Sequence, residues 1–383
     1  MGPGDVLRLI RDAGTITRSE LIARSGLGRS TVSQRVDALL ERKLIHEAGE
    51  APSAGGRPPS TLAFNADCGL VLAADLGATH SRVALTDLGG TPLAEQREDI
   101  EIAAGPDTVL AWVQDRFDSL VDQAHRSADE IRCVGVGVPG PVEFARGRPV
   151  IPPIMPGWDG FDIPQRLRER LAVPVLVDND VNIMALGEQR STWPDCEHLL
   201  FVKVGTGIGC GIVVDGDVYR GDQGAAGDIG HIRLADHDEV VCECGNVGCL
   251  EAVASGRALA RQLRALGVEA RDSRDVVSLV RAYDKHAVRL IRQAGRQLGE
   301  VLASLVNALN PKVIVIGGDV AEAHEQLFAG VREIVYQRST PLGTRQLQIV
   351  RSSLGDRAGI IGAAALAIEH VLDPESLDSF LAA

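Results

Sequence analysis

Apolar positions in the first forty residues recur with the period of an α-helix. Residues 6–10 give one apolar face that ends at Gly14, and Thr17-Arg18-Ser19-Glu20 is a capping box that opens a second helix. Gly26-Leu27-Gly28 then predicts a turn into a third helix over residues 29–40, whose inward positions are apolar. The pattern predicts a helix-turn-helix.

The outer face of the third predicted helix is polar and carries short hydrogen-bond donors and forked cations. Such side chains contact phosphates and base edges when a recognition helix enters the major groove of DNA. The candidate DNA-binding residues are Arg29, Ser30, Thr31, Ser33, Gln34 and Arg35. The alternative is a three-helix bundle whose polar face is simply solvated.

A wing is predicted after the third helix. Residues 43–47 and 61–64 have the composition of paired strands, and residues 48–60 form the loop between them. Arg57 lies in this loop between Gly and Pro residues, where an extended backbone can direct it into an A·T-rich minor groove. An ordinary Pro/Gly linker explains the loop equally well.

The charge distribution restricts nucleic-acid binding to this N-terminal part. Residues 1–62 hold nine Lys/Arg against seven acids, a net +2, whereas the whole chain of 383 residues carries −13. No run of about 18 apolar residues occurs, so neither a membrane span nor membrane binding is expected. We expect a cytoplasmic protein.

Three later segments place a Gly-containing turn directly after an apolar strand. Loops of this kind bring backbone N–H groups close to phosphates, so together they predict a phosphate cleft between two related α/β lobes. The candidate phosphate or ATP residues are Asp75, Gly77, Thr79, Gly205, Thr206, Gly207, Gly317 and Gly318. For the first segment, a hairpin with a Gly turn is nearly as good an explanation.

The strand over residues 175–177 ends abruptly in the polar run Asp178-Asn179-Asp180-Val181-Asn182. Parallel sheets bind ligands at the carboxyl ends of their strands. Asp180 can accept the proton of a sugar hydroxyl that attacks a γ-phosphate, and Asn179 can hold neighbouring hydroxyls. Capping of the helix that follows is the alternative role for these side chains.

The spacing Cys242-x-Cys244-x4-Cys249, with His231 just upstream, predicts a metal site. Three thiolates and one imidazole complete the tetrahedral coordination of a structural Zn²⁺ and leave no position open. Glu251 follows directly and can accept hydrogen bonds from a polyol. The alternative is three buried thiols near a core histidine.

These motifs resemble the ROK family of repressors and sugar kinases over nearly the whole chain. The resemblance rests on Asn179-Asp180, on Gly224-Ala225-Ala226-Gly227-Asp228-Ile229-Gly230-His231 and on the cysteine motif with Glu251. It implies that Asp180 corresponds to the catalytic base and Gly317-Gly318 to the adenosine region. It also implies a set of sugar ligands: Asn179, Asp180, Asp228, His231 and Glu251.

The fold expected from the resemblance is α/β. A winged helix-turn-helix over residues 1–64 precedes an actin-like, two-lobed, ribonuclease H-like sugar-kinase fold with structural zinc. The small lobe is expected over 69–190, completed by a C-terminal helix over 364–383, and the large lobe, with the zinc site and dimer interface, over 191–363. The helix near 288–309 is expected in the core or at an interface.

The expected function is that of a sugar-responsive repressor that binds operator DNA and a hexose, an N-acetylhexosamine or a derivative as effector. Such a regulator is expected to be a homodimer or homotetramer. The alternative is an active kinase that uses Mg-ATP, alone or together with regulation. Ala78 puts a Cβ where a phosphate would approach, which argues against nucleotide binding, and Asp228 is one methylene shorter than the family's usual Glu.

Overall fold

The computed structural model describes residues 1–50 and 59–382. Its N-terminal part is a winged helix-turn-helix, as the sequence predicts. In chain order the elements are α1 (Pro3–Ala13), β1 (Thr15–Thr17), α2 (Arg18–Ser25), α3 (Arg29–Glu41), β2 (Ile45–Glu50) and β3 (Ser60–Phe64). β2 and β3 pair antiparallel as the wing, and most of the loop between them, including Arg57, lies outside the described residues.

The predicted capping box is formed at the start of α2. The Thr17 hydroxyl accepts a hydrogen bond from the Glu20 backbone N–H at 3.2 Å, and the Glu20 carboxylate accepts one from the Thr17 N–H at 2.8 Å. β1 was not predicted from the sequence; it pairs antiparallel with β3 and aligns Thr17 with Thr61. The strand joins the wing to the helices.

The small lobe contains a five-stranded sheet in the order β10-β7-β4-β5-β6. The pairings of β10 with β7 and of β7 with β4 are parallel, and the rest are antiparallel. The elements are β4 (Leu70–Leu76), β5 (Ser81–Asp87), β6 (Pro92–Glu98), α4 (Pro106–Gln123), β7 (Ile131–Val138), β8 (Val142–Glu143), β9 (Arg148–Pro149), α5 (Ile163–Arg168) and β10 (Val175–Asn179).

The large lobe repeats this plan, with a five-stranded sheet in the order β13-β12-β11-β14-β15. Three antiparallel strands are again followed by two parallel ones, so the lobes are related as expected. The elements, from the connecting helix onward, are α6 (Asp180–Thr192), β11 (Leu199–Val204), β12 (Ile208–Val214), β13 (Asp217–Val218), α7 (Leu250–Ala254), α8 (Gly256–Ala265), α9 (Ser273–Arg281), α10 (Lys285–Leu309), β14 (Val313–Gly317), α11 (His324–Arg338), α12 (Pro341–Thr344) and β15 (Gln348–Arg351). α10 packs on α11 and contributes a buried face to the core of this lobe.

The chain ends in two helices, α13 (Ala358–Leu372) and α14 (Pro374–Ala382). The expected single helix over 364–383 is therefore interrupted, because Pro374 has no N–H to donate to a continuing helix. The expected lobe boundary at residue 363 falls inside α13, which packs on β4 and β7 of the small lobe and on α6. The other expected domain boundaries stay a prediction.

α6 and α13 lie between the two sheets and touch almost backbone to backbone. A Cβ at Gly362 in α13 would stand 1.6 Å from the Ile183 carbonyl oxygen of α6. A Cβ at Gly135 in β7 would stand 2.0 Å from the Ala363 carbonyl oxygen of α13. Only glycine permits these approaches, so the packing fixes α6 and α13 relative to each other.

α14 packs against α1 of the winged domain. Leu377 of α14 is buried in the same apolar cluster as Val6, Leu7 and Ile10 of α1. The Asp378 Oδ1 atom accepts a hydrogen bond from the Gly4 backbone N–H at 2.7 Å. That N–H lies in the first turn of α1, where it has no partner within the helix, so Asp378 caps α1 from outside.

No helix among the described residues is both long enough and apolar enough to span a bilayer.

Removal of the Asp378 carboxylate is predicted to weaken the attachment of the winged domain. Asp378→Ala leaves the Gly4 N–H without its charged acceptor, and we expect a loss of about 1–2 kcal/mol in the free energy of unfolding. Hydrogen exchange of the α1 amides should accelerate in line with this loss in the free energy of unfolding.

Glu375→Ala is the matched control, because Glu375 is an exposed acid in the first turn of the same helix. Equal exchange rates for the α1 amides in both variants would contradict the capping role of Asp378.

Candidate functional site

The outer face of α3 presents the predicted DNA-binding side chains. Arg29, Ser30 and Gln34 are exposed, and Thr31, Ser33 and Arg35 are half-buried at the edges of this face. Val32, Val36 and Leu39 on the opposite side are fully buried against the rest of the domain. The start of α3 follows the turn at Gly26, whose φ is +67° and which ends α2.

Of the three predicted phosphate turns, the second and third are in direct contact. A Cβ at Gly318, where φ is +86°, would stand 2.6 Å from the Val204 carbonyl oxygen, so the second and third turns touch. In the first turn the Gly77 N–H donates to the His80 carbonyl at 3.0 Å. Asp75, at the end of β4, is near enough to Lys203 for each to change the pKa of the other. Thr79 and Thr206 are exposed at the tips of their turns.

Asn179 is the N-cap of α6, so the alternative role proposed for it is observed. Its Oδ1 accepts from the Val181 N–H at 2.9 Å and from the Asn182 N–H at 3.4 Å. Its Nδ2 donates to the Gly140 carbonyl at 2.8 Å, which leaves one amide hydrogen for a ligand. Capping and ligand binding are therefore compatible.

Asp180 is buried in the first turn of α6 and forms an ion pair across to the large lobe. Its Oδ2 atom lies 2.5 Å from Lys203 Nζ on β11. Among the residues that the structure describes, no donor reaches the other carboxylate oxygen, Oδ1. The carboxylate therefore retains one acceptor for a hydroxyl.

Asp228, His231 and Glu251 converge at the start of β12. Glu251 Oε2 accepts from the Ile208 N–H at 2.9 Å, and Asp228 Oδ1 lies 3.9 Å from His231 Nε2. β12 packs directly on α6, and a Cβ at Gly209 would stand 2.9 Å from a methyl group of Val181. The predicted sugar ligands thus come from α6 and from the segments that flank β12.

The four predicted metal ligands lie together, and their donor atoms all fall within 4.8 Å of one another. Cys244 Sγ is 3.7 Å from Cys249 Sγ, and Cys242 Sγ is 3.6 Å from His231 Nδ1. The Asn246 backbone N–H lowers the pKa of the Cys244 thiol to about 7, which favours a thiolate. His231 directs Nδ1 toward the sulfurs and Nε2 toward Asp228, so one ring can serve both sites.

Two ion pairs between the lobes were not predicted from the sequence. One joins Lys203 to Asp180, and the other joins Arg220, which follows β13, to the buried Asp178 at 2.7 Å. The Arg220 guanidinium also lies 3.9 Å from the centre of the Phe144 ring. The available signal was a single Lys in an otherwise apolar strand and an acid at the end of another, since buried charges require partners.

Comparisons with known proteins agree on both parts of the chain. Residues 71–370 match the family model described as ROK family, and residues 4–46 match the one described as winged helix-turn-helix DNA-binding. A putative xylose repressor of Caldicellulosiruptor sp. (strain Rt8B.4) is 32% identical over 381 residues, covering 96% of this chain and 95% of the relative. The transcriptional dual regulator NagC of Escherichia coli (strain K12) is 29% identical, with coverages of 96% and 92%.

Two solved structures of ROK proteins are also similar to this chain. A ROK family transcriptional regulator, described as a homologue of the E. coli MLC protein, superposes with a TM-score of 0.86 at 28% identity, covering 100% of this chain and 98% of that chain. A ROK hexokinase from Thermus thermophilus superposes with a TM-score of 0.68 at 34% identity, covering 79% and 99%.

Asp75 is predicted to destabilise the protein at neutral pH. Burial raises the pKa of its carboxyl to about 6 despite the nearby Lys203 ammonium, so the folded protein holds this proton more tightly than the unfolded chain. Stability from this group is full at low pH and is lost as pH rises through 6. Asp75→Asn should therefore stabilise the fold by up to about 3 kcal/mol at pH 7.5, and by about 1 kcal/mol less at pH 5.

Chemical denaturation at the two pH values measures this difference. Asp107→Asn, at an exposed position in the first turn of α4, is the control and should show no comparable change with pH. A gain for Asp75→Asn that is equal at both pH values would contradict the raised pKa.

Proposed function

The chain belongs to the ROK family and carries an N-terminal winged helix-turn-helix, and on that premise we propose that it is a sugar-responsive transcriptional repressor. The observation that carries the proposal is the exposed polar face of α3 on a domain that shares its apolar core with α13 and α14. Relatives that match over nearly the whole length, winged domain included, carry the names putative xylose repressor and N-acetylglucosamine repressor.

We assign the effector to the cleft between the lobes. Asn179 and Asp180 from α6 and Asp228, His231 and Glu251 from the segments flanking β12 supply amide, carboxylate and imidazole groups of the kind that bind sugar hydroxyls. The relatives are named for xylose and for N-acetylglucosamine, so the ligand class is a monosaccharide of this size. Within the chain, α6, α13 and α14 connect the cleft to α1.

Regulation then follows from a population shift. A sugar that binds the closed lobes better than the open ones displaces α6 and α13 together, and operator affinity changes through α14 and α1. A dimer or tetramer would match palindromic half-sites, as expected for a repressor with one winged domain per chain. Binding to operator DNA and to sugar places such a regulator in the cytoplasm.

We further propose that the Cys3His group binds a structural Zn²⁺. Tetrahedral Zn²⁺ with Zn–S bonds of about 2.3 Å separates two sulfur ligands by about 3.8 Å. The observed separations of 3.7 Å between Cys244 and Cys249 and of 3.6 Å between Cys242 and His231 Nδ1 fit this geometry. Bound zinc crosslinks the loop that carries His231 to the start of α7 and fixes the orientation of the imidazole.

An ATP-dependent sugar kinase is the second candidate, since Asp180 and the Gly205-Thr206-Gly207 turn are present and a hexokinase shares the fold at 34% identity. For that activity Asp180 would act as general base, and Asp75, Gly77, Thr79, Gly317 and Gly318 would surround Mg-ATP. The pairing of Asp180 with Lys203 opposes this role, because one carboxylate oxygen is already held by an ammonium 2.5 Å away. ADP release that depends on a sugar and disappears in Asp180→Ala would establish the kinase.

Operator binding is the experiment that tests the proposed function. The full chain is titrated onto its own upstream DNA at moderate salt, with and without D-xylose, D-glucose and N-acetylglucosamine, and binding is followed by fluorescence anisotropy. We expect sequence-preferring binding that at least one sugar alters. Arg29→Ala should weaken operator binding about tenfold or more, because Arg29 is exposed at the start of α3.

Arg8→Ala removes the same side chain from the exposed face of α1 and serves as the matched control. Operator affinity should change little in this variant. Absence of sequence-preferring binding by the unaltered protein would overturn the repressor proposal.

Removal of a zinc ligand is predicted to abolish metal binding. Cys249→Ser should reduce zinc from about one ion per chain to a trace, measured by mass spectrometry of the purified protein, and should lower the melting temperature. Cys68→Ser, a half-buried thiol outside the cluster, is the control. Full zinc content in Cys249→Ser would rule out this ligand set.

A further inference from the structure

Lys203 is the positively charged residue beside Asp180 at the proposed sugar site. It stands alone in the strand Leu199–Val204, whose other side chains are buried and apolar, and its Nζ reaches Asp180. Burial lowers the pKa of Lys203, but the carboxylates of Asp180, Asp75 and Asp319 raise it by more. The side chain is therefore an ammonium ion among acids.

Three carboxylates interact electrostatically with this one ammonium. Asp75 comes from the small lobe, Asp180 from α6, and Asp319 from the segment after β14, where its Oδ2 accepts from the Ser273 hydroxyl at 2.9 Å. Since one positive charge is set against three acidic groups, the interior of the cleft carries an excess of negative charge. The pKa of Asp75 is raised mainly by burial; Lys203 lowers it, and Asp180 raises it by a smaller amount.

The nearby arginines do not reverse this excess. Arg82 pairs with Glu95 and with Asp356, and Arg97 pairs with Asp356. His80 stays neutral at pH 7, since burial, followed by Arg97 and Arg274, lowers its pKa below the usual value. Arg274 itself is exposed in the first turn of α9, where water screens its charge.

We propose that the cleft binds an uncharged sugar and discriminates against phosphate esters of that sugar. The inference rests on the proposed function, which puts the sugar beside Asp180. Lys203 holds one oxygen of Asp180, so the free oxygen Oδ1 accepts a hydroxyl in a fixed orientation. A phosphate group would bring negative charge into a partly buried site that already has an excess of carboxylates, at an energetic cost that low polarity increases. Lys203 is a positioning residue in this scheme.

Isothermal titration calorimetry on the full chain without added Mg²⁺ measures the preference. The probes are D-xylose, D-glucose and N-acetylglucosamine, each against a phosphate ester: α-D-xylose 1-phosphate, glucose 6-phosphate and N-acetylglucosamine 6-phosphate. We expect one free sugar to bind at least about tenfold more tightly than its ester. Equal or tighter binding of the ester would overturn the inference, and so would the absence of binding by every probe.

Operator binding by the same preparation separates this inference from the proposed function. A protein that binds operator DNA and prefers the ester is still a repressor, but its effector is charged. A protein that binds free sugar and ignores DNA supports the charge argument and contradicts the repressor proposal.

Variants test whether the preference is electrostatic. Asp319→Asn keeps the acceptor for Ser273 and removes one negative charge, so the ratio of the two dissociation constants should fall about threefold or more. Lys203→Met should weaken binding of the free sugar about tenfold, and Lys203→Arg should restore most of it. Lys312→Met, at an exposed lysine of the same lobe, is the matched control.

Circular dichroism and thermal melts confirm that each variant is folded before the ratio is interpreted. A ratio that stays constant in Asp319→Asn while that variant binds free sugar normally would show that charge does not set the preference.

Discussion

The contact between α6 and α13 is the constraint on which the rest of the molecule depends. Glycines at the crossing allow the two backbones to meet with no side chain between them, and one five-stranded sheet packs on each side. Neither helix can move alone, because two backbones in direct contact leave no space between them. The polar start of α6 is thereby held at the centre of the molecule. From the same contact α13 continues to α14, which packs on the winged domain.

Charge pairs between the lobes complete this arrangement. Asp178 and Asp180, two residues apart at the junction of β10 and α6, bind Arg220 and Lys203 of the large lobe. Because these carboxylates are buried, separation of the lobes would expose or strand charges that are satisfied only when the lobes meet. The relative position of the lobes is therefore coupled to the ion pairs and hydrogen bonds of a few side chains. Such coupling is what a ligand sensor requires.

Local patterns in the sequence predicted the elements that depend on nearby residues. The capping box at Thr17 and Glu20, the turn at Gly26 and the cysteine spacing each describe contacts within a few positions. The missed features depend on residues far apart in the chain. β1 forms because Thr15–Thr17 pairs with β3, which lies more than forty residues later in the chain. Lys203 forms its ion pair with Asp180, which lies on another element. Propensity and spacing carry no information on such pairings.

The attachment of α14 to α1 has a consequence for the order of events during synthesis. α14 is translated after every strand of both lobes, yet its Leu377 and Asp378 complete the core and the first turn of a domain made before either lobe. Domains near the start of a chain usually fold as soon as they emerge from the ribosome. Here the winged domain reaches its final stability only when α14 has left the ribosome. Chains cut short by premature termination or proteolysis therefore carry a weakened DNA-binding domain, and an incomplete sensor competes poorly with intact protein for the operator.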